Sequence, residues 1–150
     1  MDSTLLRQEL NRDEARRTHV YDDAQGGVPF VAGMTQRGKL TIGTGWNLTD
    51  NGLPDNIIDE LLDIGIERAC QTCDRIWPDW RTALNEARQR AFVNLAFNMG
   101  QAKLEGFPHF LVALKAGDYE LAAQNLADSL WHKQVGPRAE RIEAMIRTGE

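Results

Sequence analysis

Apolar residues recur along this chain at the three- and four-residue spacing that is typical of amphipathic helices. Six segments predict helices by this criterion: 3–17, 56–76, 80–99, 109–117, 118–134 and 138–149. Glycine or proline stands at most of their boundaries, where these residues begin or end helices. Because segment 80–99 is apolar nearly all round toward its end, we expect it to be the central helix of the core.

The stretch from Val20 to Trp46 has a different pattern, since it is rich in glycine and poor in helix formers. Two short runs within it, VPFVAGM at 28–34 and KLTIGTGW at 39–46, have the composition of β-strands. Gln-Arg-Gly separates them and is typical of a turn. This part of the chain therefore predicts a small antiparallel sheet or hairpin.

The predicted fold class is α+β, mainly helical, in a single globular domain. The chain has 150 residues, of which 42% are hydrophobic and 26% charged. A chain of this size buries enough surface to fold without a metal ion or a disulfide. We expect a β-containing lobe over about 18–55, a linking helix over about 56–76, and a helical lobe over about 78–150 that also takes in the N-terminal helix.

The charge pattern excludes some classes of partner. The formal net charge is −5, and lysines and arginines are interspersed with acidic residues, so nucleic-acid binding is disfavoured. No apolar run approaches the 18 or so residues that span a bilayer, so we expect no membrane insertion. The N-terminal residues do not resemble a signal peptide, which predicts synthesis in the cytoplasm. We expect a monomer.

Cysteine and histidine provide little evidence for a metal site. Cys70 and Cys73 form one CxxC inside a predicted helix, and either act as a thiol pair or are two reduced, partly buried thiols. The second interpretation is favoured because a lone CxxC is a weak motif. The histidines, at 19, 109 and 132, lie in no ligand spacing. We expect neither a metal ion nor a cofactor.

Two carboxylates have the arrangement that cleavage of a sugar chain needs. Glu14 lies near the end of the first predicted helix, and Asp23 follows nine residues later at the start of the glycine-rich stretch. Glycoside hydrolysis needs one protonated carboxyl group and one ionised carboxylate near the same bond. The alternative is that the mixed charges at 12–17 and 22–23 form a solvated surface. Spacing alone does not separate the two.

Four strings of residues carry a more specific signal: LNRDEARRTHVYDD, LTIGTGWNL, RAFVNLAFNMG and ELAAQNLADSLWHKQVGPRAERIEAMIRTG. In this order, and over nearly the whole chain, they resemble the phage-type lysozymes, the family of the T-even phage endolysin. The resemblance implies a lysozyme fold and a muramidase. Such an enzyme hydrolyses the β-1,4 bond between N-acetylmuramic acid and N-acetylglucosamine in the glycan strands of peptidoglycan.

The resemblance also implies roles for particular residues. Glu14 falls on the family's general acid, Asp23 on its second catalytic carboxylate, and Thr41 on the threonine that helps to hold the attacking water. This arrangement implies inversion at the anomeric carbon if the carboxyl groups stand roughly 6.5 to 9.5 Å apart. Arg138 falls on an arginine that contacts the catalytic glutamate, although a structural salt bridge explains an arginine at this position equally well.

The chain departs from the family pattern at two places. Seventeen residues, 24–40, separate Asp23 from Thr41, where the family has five. This insertion either lengthens the hairpin or shifts Thr41 away from Asp23. Trp46 stands where the family often has histidine, and an aromatic ring there packs either on the first helix or on a sugar face.

Further residues are candidates for binding the sugar substrate. Trp46 and Phe107 are candidates for stacking, and Asn94 and Asn98 lie one turn apart on the predicted core helix. Trp131 is better explained as a core residue.

The resemblance implies an endolysin, which causes bacterial lysis, and two alternatives to it remain at this point. One is a wall-binding module that keeps the lysozyme fold but has lost efficient catalysis through the insertion, since fold does not determine function. The other is a bacteriocin-like toxin domain from a longer protein.

Overall fold

The computed structural model describes residues 3–14 and 16–150. The chain divides into two compact units, Met1–Ile58 and Asp59–Glu150. The α+β, mainly helical fold class is confirmed. Which helices belong to which lobe, and the linking role of the long helix, stay predictions. In the described ranges no helix combines the length and the apolar character needed to cross a membrane.

The N-terminal unit contains a small antiparallel sheet with the strand order β1-β2-β3. Its elements are α1 (Ser3–Asp13), β1 (Arg17–Asp22), a 3-10 turn (Asp23–Gln25), β2 (Leu40–Gly43), β3 (Trp46–Asn47) and α2 (Leu48–Asn51). In β1 and β2, Tyr21 lies opposite Thr41 and Asp22 opposite Leu40. In β2 and β3, Thr41 lies opposite Asn47.

Two predictions for this unit were wrong. The first helix, predicted to reach residue 17, ends at Asp13, and Arg17 already begins β1. Two of the residues that follow, Thr18 and Val20, are β-branched and favour an extended backbone. The run at 28–34 is not a strand, and its one bridge joins Pro29 to Tyr21. Pro29 has no N–H to donate to a neighbouring strand, which disfavours a strand at 28–34. The strand that pairs with β2 is β1 instead.

The C-terminal unit is helical. Its helices are α3 (Asp55–Ile76, which begins before the unit boundary), α4 (Trp80–Ala83), α5 (Glu86–Glu105), α6 (Pro108–Lys115), α7 (Tyr119–Ala127), α8 (Leu130–Val135) and α9 (Pro137–Thr148). The prediction of a helix over 56–76 is confirmed to within one residue. Prolines stand at the first positions of α6 and α9, where the missing N–H costs no hydrogen bond.

Two predicted helices are each split by a capping residue. Segment 80–99 was predicted as one helix, but α5 begins at Glu86 because the Asn85 side chain accepts a hydrogen bond from the Arg88 N–H at 3.1 Å. Segment 118–134 contains both α7 and α8, because the Ser129 hydroxyl accepts from the His132 N–H at 3.2 Å. A polar N-cap residue can end one helix and start the next while the spacing of the apolar residues continues unchanged across it.

The core of this unit surrounds α5, as predicted for the central helix. Fully buried side chains include Phe92, Leu95, Leu104, Phe110, Leu126 and Ile146. Trp77 and Trp80 meet the Phe92 ring edge-on, with centroid distances of 6.3 and 6.1 Å. Edge-to-face aromatic contacts of this kind add to the free energy of apolar burial. Trp131 is also buried in the core, as predicted.

Replacement of Leu95 by alanine tests this packing. Leu95 is 0% exposed on α5, so we expect Leu95→Ala to lower the free energy of unfolding by about 2–5 kcal/mol through lost burial and a cavity. Urea denaturation followed by tryptophan fluorescence measures the change. Leu130 is a leucine that is 74% exposed in a helix, and we expect Leu130→Ala to change stability by less than about 0.5 kcal/mol. Equal effects in the two variants would contradict this core.

Candidate active site

Glu14, the predicted general acid, directly follows α1. Its backbone N–H donates to the Leu10 carbonyl at 2.9 Å, and its side chain is exposed. The side chain reaches the turn between β2 and β3, where a Cβ on Gly45 would lie 3.3 Å from Glu14 Oε2. The Thr44 hydroxyl, which belongs to the same turn, donates to Asn11 Oδ1 at 2.9 Å. The end of α1 and this turn thus hold the carboxyl group between them.

A groove of about 770 Å³ lies in front of Glu14. Its walls come from α1, including Leu6 and Leu10, and from Thr44 and Gly45. In the described residues of the N-terminal unit, no side chain donates a hydrogen bond to the Glu14 carboxyl group. Within this unit, the Glu14 oxygens are therefore open to a hydrogen bond from a molecule in the groove.

Asp23 and Thr41 are both bonded to Lys39. The Asp23 N–H donates to the Lys39 carbonyl at 3.0 Å, and the Lys39 N–H donates back to Asp23 Oδ1 at 2.7 Å. The Thr41 hydroxyl, which is buried, donates to the same carbonyl at 3.3 Å. The inserted residues therefore lengthen the connection between β1 and β2 without removing Thr41 from its place opposite Tyr21.

The two adjacent aspartates have opposite environments. Asp22 is 0% exposed, and each of its oxygens accepts two hydrogen bonds. Oδ1 accepts from the N–H groups of Ala24 and Gly38, and Oδ2 from the Arg37 N–H and the Gln25 side chain, at 2.6 to 3.0 Å. These bonds, above all the one from Arg37, hold the pKa of Asp22 below its ordinary value against the effect of burial.

Only Asp23 of this pair has an oxygen available for a ligand. Asp23 is exposed, and among the described residues of its unit just one donor, the Lys39 N–H, reaches its carboxylate. The lone pairs of Asp22, by contrast, are taken up by four donors. Of the two carboxylates, Asp23 can bind and activate a water molecule.

Trp46 lies in β3 opposite Ile42 and is 40% exposed. Its indole N–H donates to the Gly52 carbonyl at 2.7 Å, which fixes the ring at the edge of the unit. A fixed aromatic ring with an exposed face is the kind of surface on which a sugar stacks.

The other candidates lie in the C-terminal unit. Arg138, in the first turn of α9, donates through Nε and Nη2 to Asn94 Oδ1 at 3.0 and 2.7 Å. Within this unit its partner is an amide, not the carboxylate of a structural salt bridge. Both residues line a groove of about 670 Å³ whose walls are mostly apolar, with Leu62, Val93 and Phe97 among them.

Asn98 and Phe107 have structural contacts. The Asn98 side-chain oxygen accepts the Trp131 indole N–H at 2.7 Å, so it satisfies a buried donor. Phe107 is half-buried and packs against the core at the start of α6. Asn94 and Asn98 therefore have different hydrogen-bond partners, Arg138 and Trp131, although they lie one turn apart.

A family model described as phage lysozyme matches residues 11–147, which is nine-tenths of the chain and contains every residue described above as a candidate. The chain belongs to the phage lysozyme family. The resemblance inferred from the sequence is thereby confirmed.

The chain is also similar to the pre-baseplate central spike protein Gp5 of Enterobacteria phage T4, with 34% identity over an alignment of 160 positions. The alignment covers 93% of this chain but only 27% of Gp5. The chain thus spans about a quarter of the length of this relative. A lysozyme is a glycoside hydrolase that acts on peptidoglycan, and membership of the phage lysozyme family indicates that class of enzyme.

Sequence reasoning missed two polar clusters of this lysozyme domain. Asp22 was treated only as one of several surface charges, although an aspartate before a turn is a known capping signal. Buried Glu143 forms a hydrogen bond with His132, with 2.6 Å between Oε1 and Nδ1, and the ten residues between their positions hide this contact in the sequence. Both clusters satisfy polar groups that are removed from water.

The two cysteines of the CxxC motif lie in α3. Cys70 and Cys73 are free thiols, half-buried and buried. Burial raises the pKa of Cys73 to about 12, which keeps it protonated. In the described parts of the chain, no group of three or more His, Cys, Asp or Glu side chains is arranged to hold a metal ion.

Thiol titration tests the protonation state of Cys73. Because the thiolate is the nucleophile, a pKa raised from 9.0 to about 12 is expected to lower the thiolate fraction of Cys73 at pH 8 by about 1,000-fold and to slow its reaction with a disulfide reagent by more than about tenfold. Cys70→Ser isolates Cys73, and the rate is compared in folded protein and in urea. A folded-state rate equal to that in urea would contradict a buried, protonated thiol.

Proposed function

We propose that this chain is a muramidase that hydrolyses the β-1,4 bond between N-acetylmuramic acid and N-acetylglucosamine in peptidoglycan. The observation that carries the proposal is the difference between its two candidate carboxyl groups. Glu14 faces a groove with no donor on its oxygens in the described residues of its unit, whereas Asp23 is oriented by the Lys39 N–H. General acid and general base need two such different environments.

In the proposed mechanism, Glu14 is the general acid. It gives its proton to the glycosidic oxygen as the bond from that oxygen to the anomeric carbon breaks. The leaving sugar departs as a neutral alcohol, and positive charge develops on the remaining sugar ring. No donor from the chain competes for the Glu14 oxygens in the described residues of its unit, so the carboxyl group is available for this transfer.

Asp23 is the proposed general base and Thr41 its supporting hydroxyl. Oδ1 of Asp23 is held by the Lys39 N–H, which leaves Oδ2 to accept a proton from the attacking water. The Thr41 hydroxyl donates to the Lys39 carbonyl and so has lone pairs left to accept from the same water. The water oxygen bonds to the anomeric carbon from the face opposite the leaving group, and the configuration inverts.

We assign supporting roles to residues outside this pair. The exposed face of Trp46 is a proposed stacking surface for a sugar ring, and Arg138 with Asn94 a proposed polar contact for substrate groups. We assign Asn98 and Phe107 a structural role, since Asn98 binds the Trp131 indole and Phe107 packs against the core.

The biological setting has two candidates. As an endolysin, the chain would be made in the host cytoplasm and would degrade the wall to cause lysis. The likeness to Gp5 favours a second candidate, in which the same chemistry serves a phage particle, because that relative is a pre-baseplate central spike protein. Antibody detection in purified particles and in free lysate would distinguish the two settings.

Loss of the acid is the first test. We expect Glu14→Gln to reduce clearing of outer-membrane-permeabilised Gram-negative cells by at least about 100-fold, because the side chain keeps its shape but loses the transferable proton. Turbidity loss and release of reducing sugar measure the activity, with folding checked by circular dichroism. Glu9→Gln, on the exposed surface of α1, is the matched control. Clearing by folded Glu14→Gln at the wild-type rate would overturn the assignment.

The stereochemistry of the product tests the role of Asp23. Hydrolysis of a defined oligosaccharide of alternating sugars is expected to release the α-anomer first, since the water attacks from the face opposite the leaving group. Proton NMR in the first minutes, before mutarotation, distinguishes the anomers. An initial β-anomer would contradict the base mechanism while leaving the hydrolase assignment intact.

A further inference from the structure

In the part of the chain that the structure describes, the inserted segment between Asp23 and Thr41 contains no buried side chain, and its middle is joined to β1 only by hydrogen bonds, from the Phe30 N–H to the Val20 carbonyl and from the Arg17 side chain to the Gly27 carbonyl. Val28 and Val31 are each 58% exposed, and the described residues of 24–40 include none that is buried. A long loop without packed side chains moves readily and transmits that motion to the residues at its ends. Asp23 and Lys39 stand at those ends.

The Asp22 carboxylate is hydrogen-bonded to both ends of this loop and so joins them. Two of its four donors, Ala24 and Gln25, begin the segment, and the other two, Arg37 and Gly38, end it. The Gln25 amide also donates to the Thr35 carbonyl at 2.9 Å, which extends the contact into the loop. One side chain therefore joins residues that lie up to 14 positions apart in the sequence (24 and 38).

Gly38 connects this closure to the proposed catalytic residues. It precedes Lys39, whose N–H binds Asp23 and whose carbonyl accepts bonds from both Asp23 and Thr41. A Cβ on Gly38 would come within 2.8 Å of Asp22 Oδ1 and closer still to Asp23 Oδ1. Only a residue without a side chain fits between the two carboxylates.

We propose that Asp22 is a positioning residue, which holds the inserted segment closed so that Lys39 keeps Asp23 and Thr41 in place for the attacking water. This inference rests on the proposed muramidase function. An ionised carboxylate suits the role because it accepts four bonds, whereas an asparagine would direct its own N–H groups at two of the donors. The lowered pKa of Asp22 keeps it ionised down to acidic pH.

The decisive experiment compares Asp22→Asn in two backgrounds. One is the full chain, and the other has residues 24–38 replaced by a three-residue glycine-containing turn, which restores the five-residue spacing of the family. In the full chain we expect Asp22→Asn to lower kcat by about 10- to 100-fold with KM changed less than about twofold, because a small displacement of the base costs this much. In the shortened chain we expect Asp22→Asn to change kcat by less than about twofold.

Asp118→Ala is the control for stability alone. Asp118 caps α7 in the other unit by accepting from the Leu121 N–H at 3.1 Å. We expect its loss to lower the melting temperature and leave kcat unchanged. Wild-type kcat in Asp22→Asn, or an equal loss of kcat in both backgrounds, would overturn the proposal.

A second variant and a second readout keep the test independent of folding and of activity. If Asp22→Asn does not fold, Gln25→Ala removes one of the four donors to Asp22 without contacting Asp23, and a smaller loss of kcat with little change in KM is expected. Hydrogen exchange at the Lys39 amide, measured by NMR, is expected to accelerate in Asp22→Asn even if the wild-type chain cleaves no peptidoglycan. Unchanged exchange would refute the positioning role, whereas inactivity of the wild type with accelerated exchange would refute only the muramidase assignment.

Discussion

The Asp22 carboxylate has no exposed surface, and a buried charge is stable only where hydrogen bonds replace the water it has lost. Four donors from both ends of the inserted segment supply that replacement. The arrangement matters more here than in a unit with an apolar core, because the buried residues among those described in the N-terminal unit are Asp22 and Thr41. Polar bonds and strand pairing thus determine the geometry around the candidate site.

The helical unit is stabilised in a different way. Its core consists mainly of alanine, leucine, isoleucine and aromatic side chains around α5, and Phe92 contacts two tryptophans. Close packing resists displacement in all directions, whereas a hydrogen-bonded loop yields when one acceptor is lost. The candidate base is on the polar unit, so its position depends on single bonds, and substitutions there are expected to alter activity before they alter global stability.

Some helix and strand boundaries could not be predicted from the spacing of apolar residues. Strand β1, RTHVYD, mixes charged, polar and apolar residues without a clear period, so the strand beside β2 was predicted in the more apolar run 28–34 instead. Asn85 and Ser129 divide helices whose apolar period continues across them. In both cases a local side-chain bond, or the absence of an N–H on Pro29, outweighed the periodicity.

The sequence by itself determined the fold class, the long helix α3, the central place of α5 and the membership of the phage lysozyme family, because these depend on periodicity and on strings of residues that lie close together in the chain. It also singled out Glu14, Asp23 and Thr41 as candidates. Only the tertiary structure decided that the insertion leaves Thr41 opposite Tyr21, and that Asp22 is buried while Asp23 is exposed. The reason is physical: donors 15 and 16 residues away set the environment of Asp22, and no local pattern encodes a hydrogen bond across that distance.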